Sequence, residues 1–184
     1  MKKFFDLRTI EWRNGNVRLI DQTKLPEKLS YVNFSDHTQV ANAIKNMVVR
    51  GAPAIGVAAA MGLALTACNS KSKSKSELIK ELENAAKTLE STRPTAVNLF
   101  WATSRILDIV RLSEDEVGSI INRVIEEAKK MADEDFESNM KIGENGAKLL
   151  NDGDVVLTHC KWPKRSAECW SIGYCRLWNG ISTC

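Results

Sequence analysis

The chain has 184 residues, 43% of them hydrophobic and 27% charged, a balance that fits one globular domain, or one domain and part of another, and argues against general disorder. Its 26 basic and 23 acidic residues leave a formal charge of only +3, which offers no broad basic face for nucleic acid and no polybasic membrane anchor. Five cysteines form no CxxC pair and have no cluster of histidines beside them, so neither a zinc site nor a disulfide framework is expected. The start, Met1-Lys2-Lys3-Phe4-Phe5-Asp6, turns charged too soon for a signal peptide. The longest apolar run, Ala52 to Ala67, falls short of the roughly 20 residues of a spanning helix. A soluble, cytoplasmic protein is the expectation.

Residues 7 to 20 predict a hairpin, with Thr9-Ile10-Glu11-Trp12 and Val17-Arg18-Leu19-Ile20 on either side of Asn14-Gly15. That dipeptide tolerates the positive φ angles of a type I′ turn. From Asp36 the period becomes helical, and Val40, Ala43, Ile44, Met47 and Val48 predict an amphipathic helix ending near Arg50. Gly51 and Pro53 punctuate it. The run Ala54 to Leu65 is apolar on every face and rich in Ala and Gly, so it predicts a helix buried all round. Ser70 to Ser76 alternates Ser and Lys and reads as an exposed loop. Helices follow over Glu77 to Leu89 and from about Thr95 to Arg111, separated by Thr92-Arg93-Pro94. Ser113 and Glu116 have the spacing of a capping box. The long helix after them carries Val117, Ile120, Ile121, Val124, Ile125 and Ala128 as its apolar stripe, and Gly143 and Gly146 are expected to break it. Asn151-Asp152-Gly153 predicts a turn, and Asp154 to His159 a buried strand, the first of a parallel α/β sheet.

Three segments carry chemistry. Arg50-Gly51-Ala52-Pro53-Ala54-Ile55-Gly56 places a cation and a glycine before a proline-started helix with free amides, which suits a phosphate. The plainer reading, and the one composition alone favours, is an ordinary turn between helices with a surface arginine. Thr92-Arg93-Pro94-Thr95 repeats the pattern, with Pro94 able to take the first helical position. The plainer alternative there is a capped helix with Phe100 and Trp101 in the core. Thr158-His159-Cys160 closes the proposed strand, where ligands of open α/β sheets bind. A thiol there could carry a proton if its pKa were tuned, or be an inert buried cysteine.

These segments, with Arg8-Thr9-Ile10-Glu11-Trp12, Asp21-Gln22-Thr23-Lys24-Leu25-Pro26 and Ala43 to Gly56, resemble in order the methylthioribose-1-phosphate isomerase family of methionine salvage. The resemblance runs from residue 7 to residue 160. It implies an α/β protein, with a small β hairpin and helical N-terminal domain over 1–150 and the first strand of a Rossmann-like C-terminal domain over 151–160. It also implies Arg50, Gly51 and Ala52 on the substrate, Arg93 on its phosphate, Cys160 as catalytic thiol, no metal or cofactor, and a homodimer in the full-length family. The implied reaction converts the aldose 5-methylthioribose 1-phosphate to the ketose 5-methylthioribulose 1-phosphate. Ribose-1,5-bisphosphate isomerase and the alpha, beta and delta subunits of translation initiation factor 2B share the fold and are the alternatives. The intact Arg50 to Gly56 and Thr158-His159-Cys160 segments favour the methylthioribose enzyme.

After Cys160 the chain departs from the family, which continues with Asn-Ala-Gly. Read one base later, the codons of Glu168 to Ile181 permit Asn-Ala-Gly-Leu-Leu-Ala-Thr-Val-Gly-Tyr-Gly-Thr-Ala-Leu, which is that family continuation. Residues 161–184 are therefore expected to be an out-of-frame tail, residues 161–167 having no counterpart in the shifted reading. The chain as written is expected to be an inactive, truncated isomerase.

Overall fold

Asn14 and Gly15 set the first turn. In the computed structural model, which describes residues 8–25, 27–149 and 151, both have positive φ, 51° and 75°, so the two-residue turn twists as the flanking strands do. Strands β1 (Ile10–Arg13) and β2 (Asn16–Ile20) pair antiparallel with Arg13 opposite Asn16. A third strand, β3 (Tyr31–Phe34), pairs with β2 and makes the sheet β1-β2-β3. The sequence reading missed it, since Tyr31-Val32-Asn33-Phe34 is too short to show an alternation by itself. The register explains the addition. Ile10, Trp12, Val17, Leu19, Val32 and Phe34 share one face by cross-strand pairing, with Val17 and Leu19 fully buried. On the other face Arg18 pairs with Glu11 at 2.9 Å and lies over the Tyr31 ring.

Between β2 and β3, Asp21 caps a single 3-10 turn, Gln22–Lys24. Its carboxylate accepts from the Thr23 N–H and hydroxyl and pairs with Lys24 at 3.0 Å. Burial raises the Asp21 pKa, but the bonds from Thr23 and Lys24 outweigh that and hold it below the ordinary carboxylate value. A depressed folded pKa contributes stability that is fully present above the unfolded value of about 3.9 and is lost as pH falls through the folded one. Asp21→Asn is therefore expected to destabilise the chain at pH 7 and to lose that deficit below about pH 4. Denaturant midpoints of both proteins across pH 3–7 measure it, and a pH-independent gap would contradict it.

Helix α1 (His37–Lys45), capped by Asp36, ends five residues before the expected Arg50. Met47 takes φ of 58° and is exposed, where a place on the buried stripe was expected. Val49, in the bend that follows, is fully buried in its stead. Helix α2 (Ala52–Asn69) is the core: it packs against α1, α3, α4, α5 and strands β1 and β2. By length and composition it could cross a bilayer, but its apolar surface is covered by these neighbours, as an all-round apolar helix requires.

Helix α3 (Lys75–Glu90) starts within the expected loop, because the Ser74 hydroxyl accepts from the Glu77 N–H. Helix α4 (Val97–Leu112) starts later than expected. Pro94 does not take its first position but sits inside a turn in which the Ala96 N–H donates to the Arg93 carbonyl. The expected capping box at α5 (Val117–Ala147) does not form. Ser113 is engaged in ending α4, its N–H donating to the Ile109 carbonyl and its hydroxyl to Asp115. Lys75 donates to the Arg111 and Ser113 carbonyls at 2.7 and 2.6 Å, satisfying acceptors that a helix end leaves open. Gly143 and Gly146 do not break α5, which runs through both, with Gly143 buried. Packing overrides the helix-propensity cost of about 1 kcal/mol for such a glycine. The described residues are thus five α-helices and a small antiparallel sheet. The expected strand over Asp154 to His159 lies outside them.

Candidate anion site at two helix entrances

Gly51 precedes α2 with φ of 92°, a conformation that costs a residue with a Cβ energy that glycine avoids. It lets the chain turn from the buried Val49 into a helix whose second residue is Pro53. No side chain caps this end, so the Ala52 and Ala54 N–H groups take no side-chain acceptor and have the helix dipole behind them. Arg50 and Ala52 are exposed beside them. The same description fits α4. Its N-cap is Ala96, again without a side-chain cap, and the half-buried Arg93 leads into it. Among the described residues no carboxylate pairs with Arg93. By contrast Asp36 and Ser74 cap α1 and α3 with their side chains. Of the helices with uncapped starts, α2 and α4 follow an arginine, and α5 follows Glu116.

The two entrances meet. Gly56, one turn into α2, lies so close to α4 that a Cβ on it would stand 2.9 Å from the carbonyl oxygen of Asn98. Asn98 is the second residue of α4, five residues beyond Arg93. Close backbone approach at a glycine therefore brings the start of α2 against the start of α4, although Arg93 lies 43 residues after Arg50 in sequence. The first turns of the two helices are therefore neighbours, each preceded in sequence by an arginine. Such an arrangement favours a phosphate or another compact anion, with backbone amides to orient it and arginines to pair with it.

Beside Arg93, the first turn of α4 leaves Val97 77% and Trp101 53% exposed on one face. Trp101 is therefore not a core residue. Arg105 lies over its indole at 5.3 Å and is fixed by Glu127 and Glu134. Hydrogen bonding to Glu134, then to Glu127, raises the Arg105 pKa further above its already high value, more than burial lowers it. Gly51 and Ala52 stand at the start of α2 with Arg50 before them, and Arg93 precedes α4, whose second residue Asn98 touches Gly56 of α2. Cys160 lies outside the described residues.

With uncapped helix starts that follow arginines, and four helices and a small sheet packed around a small-residue core helix, the class of protein follows from comparison with known families. The chain belongs to the Initiation factor 2 subunit family, whose match covers residues 48–164. It is 47% identical over 155 residues to a methylthioribose-1-phosphate isomerase of Thermotoga neapolitana, covering 83% of this chain and 43% of that protein. A solved structure of 5-methylthioribose 1-phosphate isomerase from Pyrococcus horikoshii aligns with a TM-score of 0.78 at 48% identity, over 83% of this chain and 44% of that one. A second, named translation initiation factor eIF-2B subunit delta from A. fulgidus, aligns with a TM-score of 0.76 at 48% identity, over 84% and 45%. The chain spans about two-fifths of the length of the curated relatives it matches.

Proposed function

We propose that this chain is the substrate-phosphate half of an aldose-ketose isomerase acting on 5-methylthioribose 1-phosphate. The close approach of Gly56 to Asn98 supports the reading, because it sets the start of α2 beside the start of α4, and each start follows an arginine in sequence. Arg50, Gly51 and Ala52 contact the sugar phosphate, and Arg93 holds the phosphate itself. Cys160 serves as the catalytic thiol, at the end of a first strand over 151–160 that opens a Rossmann-like domain after the helical domain of 1–150. The protein is cytoplasmic, needs no metal or cofactor, and assembles as a homodimer in its full-length form. The relatives named as isomerases at 47–48% identity support the substrate.

In the same reading, residues 161–184 are translated out of frame, since the shifted reading restores a family continuation from Glu168 to Ile181. Resequencing from codon 155 past codon 184 tests this. An open shifted frame is the expected result, and a confirmed single frame with nothing homologous after it would refute it. The 184-residue chain is expected to give no ketose product from 5-methylthioribose 1-phosphate, while the frame-restored protein turns it over and its Cys160→Ser variant does not. The A. fulgidus structure named as an initiation-factor subunit supports a second reading, a regulatory subunit without isomerase chemistry. A frame-restored protein that binds sugar phosphate without converting it would favour that reading.

A further inference from the structure

Helix α4 opens on an apolar face. Val97, its first residue, is 77% exposed, and Trp101, four residues on, is 53% exposed. Residues four apart in a helix share one face, about 6 Å apart along the axis. Helical side chains lean toward the N-terminus of their helix, so both groups incline toward the α4 entrance. Single exposed apolar residues are ordinary on a protein surface. These two stand together at a helix start that has no side-chain cap and follows Arg93, where the proposed site receives its phosphate.

The indole is also held in place. Arg105, one turn further along the same face, lies over the ring at 5.3 Å. Its guanidinium donates to Glu127 at 2.6 Å and to the two carboxylate oxygens of Glu134 at 2.6 and 3.0 Å. A cation fixed at several points restrains the ring it covers, and a restrained aromatic loses little freedom when a ligand group settles on it. The charges around the ring decide what that group is. Arg105 is matched by Glu127 and Glu134, and Lys130 stands 3.8 Å from Glu134. The cations beside the ring are therefore already matched by carboxylates, which disfavours a second phosphate there. An uncharged apolar group meets Val97 and Trp101 instead. The substrate of the proposed function has this character, with its phosphate and its thioether at the two ends of a single sugar.

We propose that Val97 and Trp101 form the subsite for the 5-methylthio group, and that Trp101 sets the preference for an uncharged 5-substituent. The inference rests on the anion site of the proposed function and extends it along α4. The phosphate lies at the helix start, the sugar across the first turn, and the thioether against the indole.

Calorimetric titration of the 184-residue chain with ribose 1-phosphate and with 5-methylthioribose 1-phosphate tests it in the parent, Trp101→Ala, Trp101→Phe and Leu112→Ala. Leu112 is the control, an 82% exposed apolar residue at the far end of α4. The parent is expected to hold the methylthio compound about fivefold more tightly, as burial of a group of that size predicts. Trp101→Ala is expected to weaken only the methylthio compound and so bring the two ligands level. Trp101→Phe is expected to retain most of the preference, and Leu112→Ala all of it. Equal parental affinities for the two ligands overturn the inference while the anion site stands. A preference that survives in Trp101→Ala, a loss equal for both ligands, or the same loss in Leu112→Ala overturns it too. A parent that binds neither ligand overturns the anion site itself, and this inference with it.

Discussion

Gly56→Ala lowers stability by about 1–2 kcal/mol and Gly62→Ala does not. An alanine in a helix interior normally gains about 0.5–1 kcal/mol over glycine, so the sign of the first change comes from its neighbour. A Cβ at residue 56 would stand 2.9 Å from the Asn98 carbonyl oxygen, a backbone atom held in the first turn of α4. It cannot turn aside as a side chain does, and overpacking of this kind costs typically about 1–3 kcal/mol. At Gly62 the nearest atoms, at 3.3 Å, are the two terminal carbons of Leu89, which can shift by a rotamer adjustment. Denaturant melts of the two variants measure the contrast. For a domain of this size the Gly56→Ala loss corresponds to a fall of roughly 5 °C in the midpoint. Because the displaced element is the start of α4, the same variant also binds ribose 1-phosphate more weakly. Equal stability of the two variants would mean that α2 and α4 do not approach at Gly56.

Arg93→Ala weakens phosphate binding by about 2 kcal/mol, roughly thirtyfold. The guanidinium is half-buried, has no carboxylate partner among the described residues, and leads into a helix start without a side-chain cap. A charge placed so is not consumed by an internal ion pair, unlike Arg105, which is fixed between Glu127 and Glu134. Charge-assisted bonds to a phosphate are among the stronger ones a side chain makes, and a lysine does not reproduce the fork. Arg93→Lys is accordingly expected to recover only part of the affinity, and Arg105→Ala to leave it unchanged. Titration with ribose 1-phosphate at low and moderate salt checks all three. Unchanged affinity in Arg93→Ala would remove Arg93 from the site.

Much of this arrangement was legible in the chain. Asn14-Gly15 announced the hairpin turn, and the apolar Ala-rich run of α2 announced a helix with neighbours on every side, because both follow from local chemistry. The Arg50 and Arg93 segments were legible as helix entrances led by an arginine for the same reason. Their meeting was not, since it depends on the packing of Gly56 against Asn98, and nothing local to either residue states it. Competition between neighbouring elements accounts for the local errors. Ser113 was free on paper to cap α5 but is engaged at the end of α4. Gly143 has a weak propensity that burial in α5 overrides, and β3 exists because β2 offers Val17 and Leu19 as partners. Helix α1 stops early because the connection to α2 needs Val49 inside and a positive φ at Met47 and Gly51.

The most direct measurement is a titration of the isotopically labelled chain with ribose 1-phosphate, followed through backbone amide resonances. The anion site requires saturable shifts at Gly51, Ala52, Ala54, Val97 and Asn98, concentrated at the starts of α2 and α4 and lost together in Arg93→Ala. Shifts scattered over the lysine-rich segment before α3, or no saturable shift at either helix start, would contradict it.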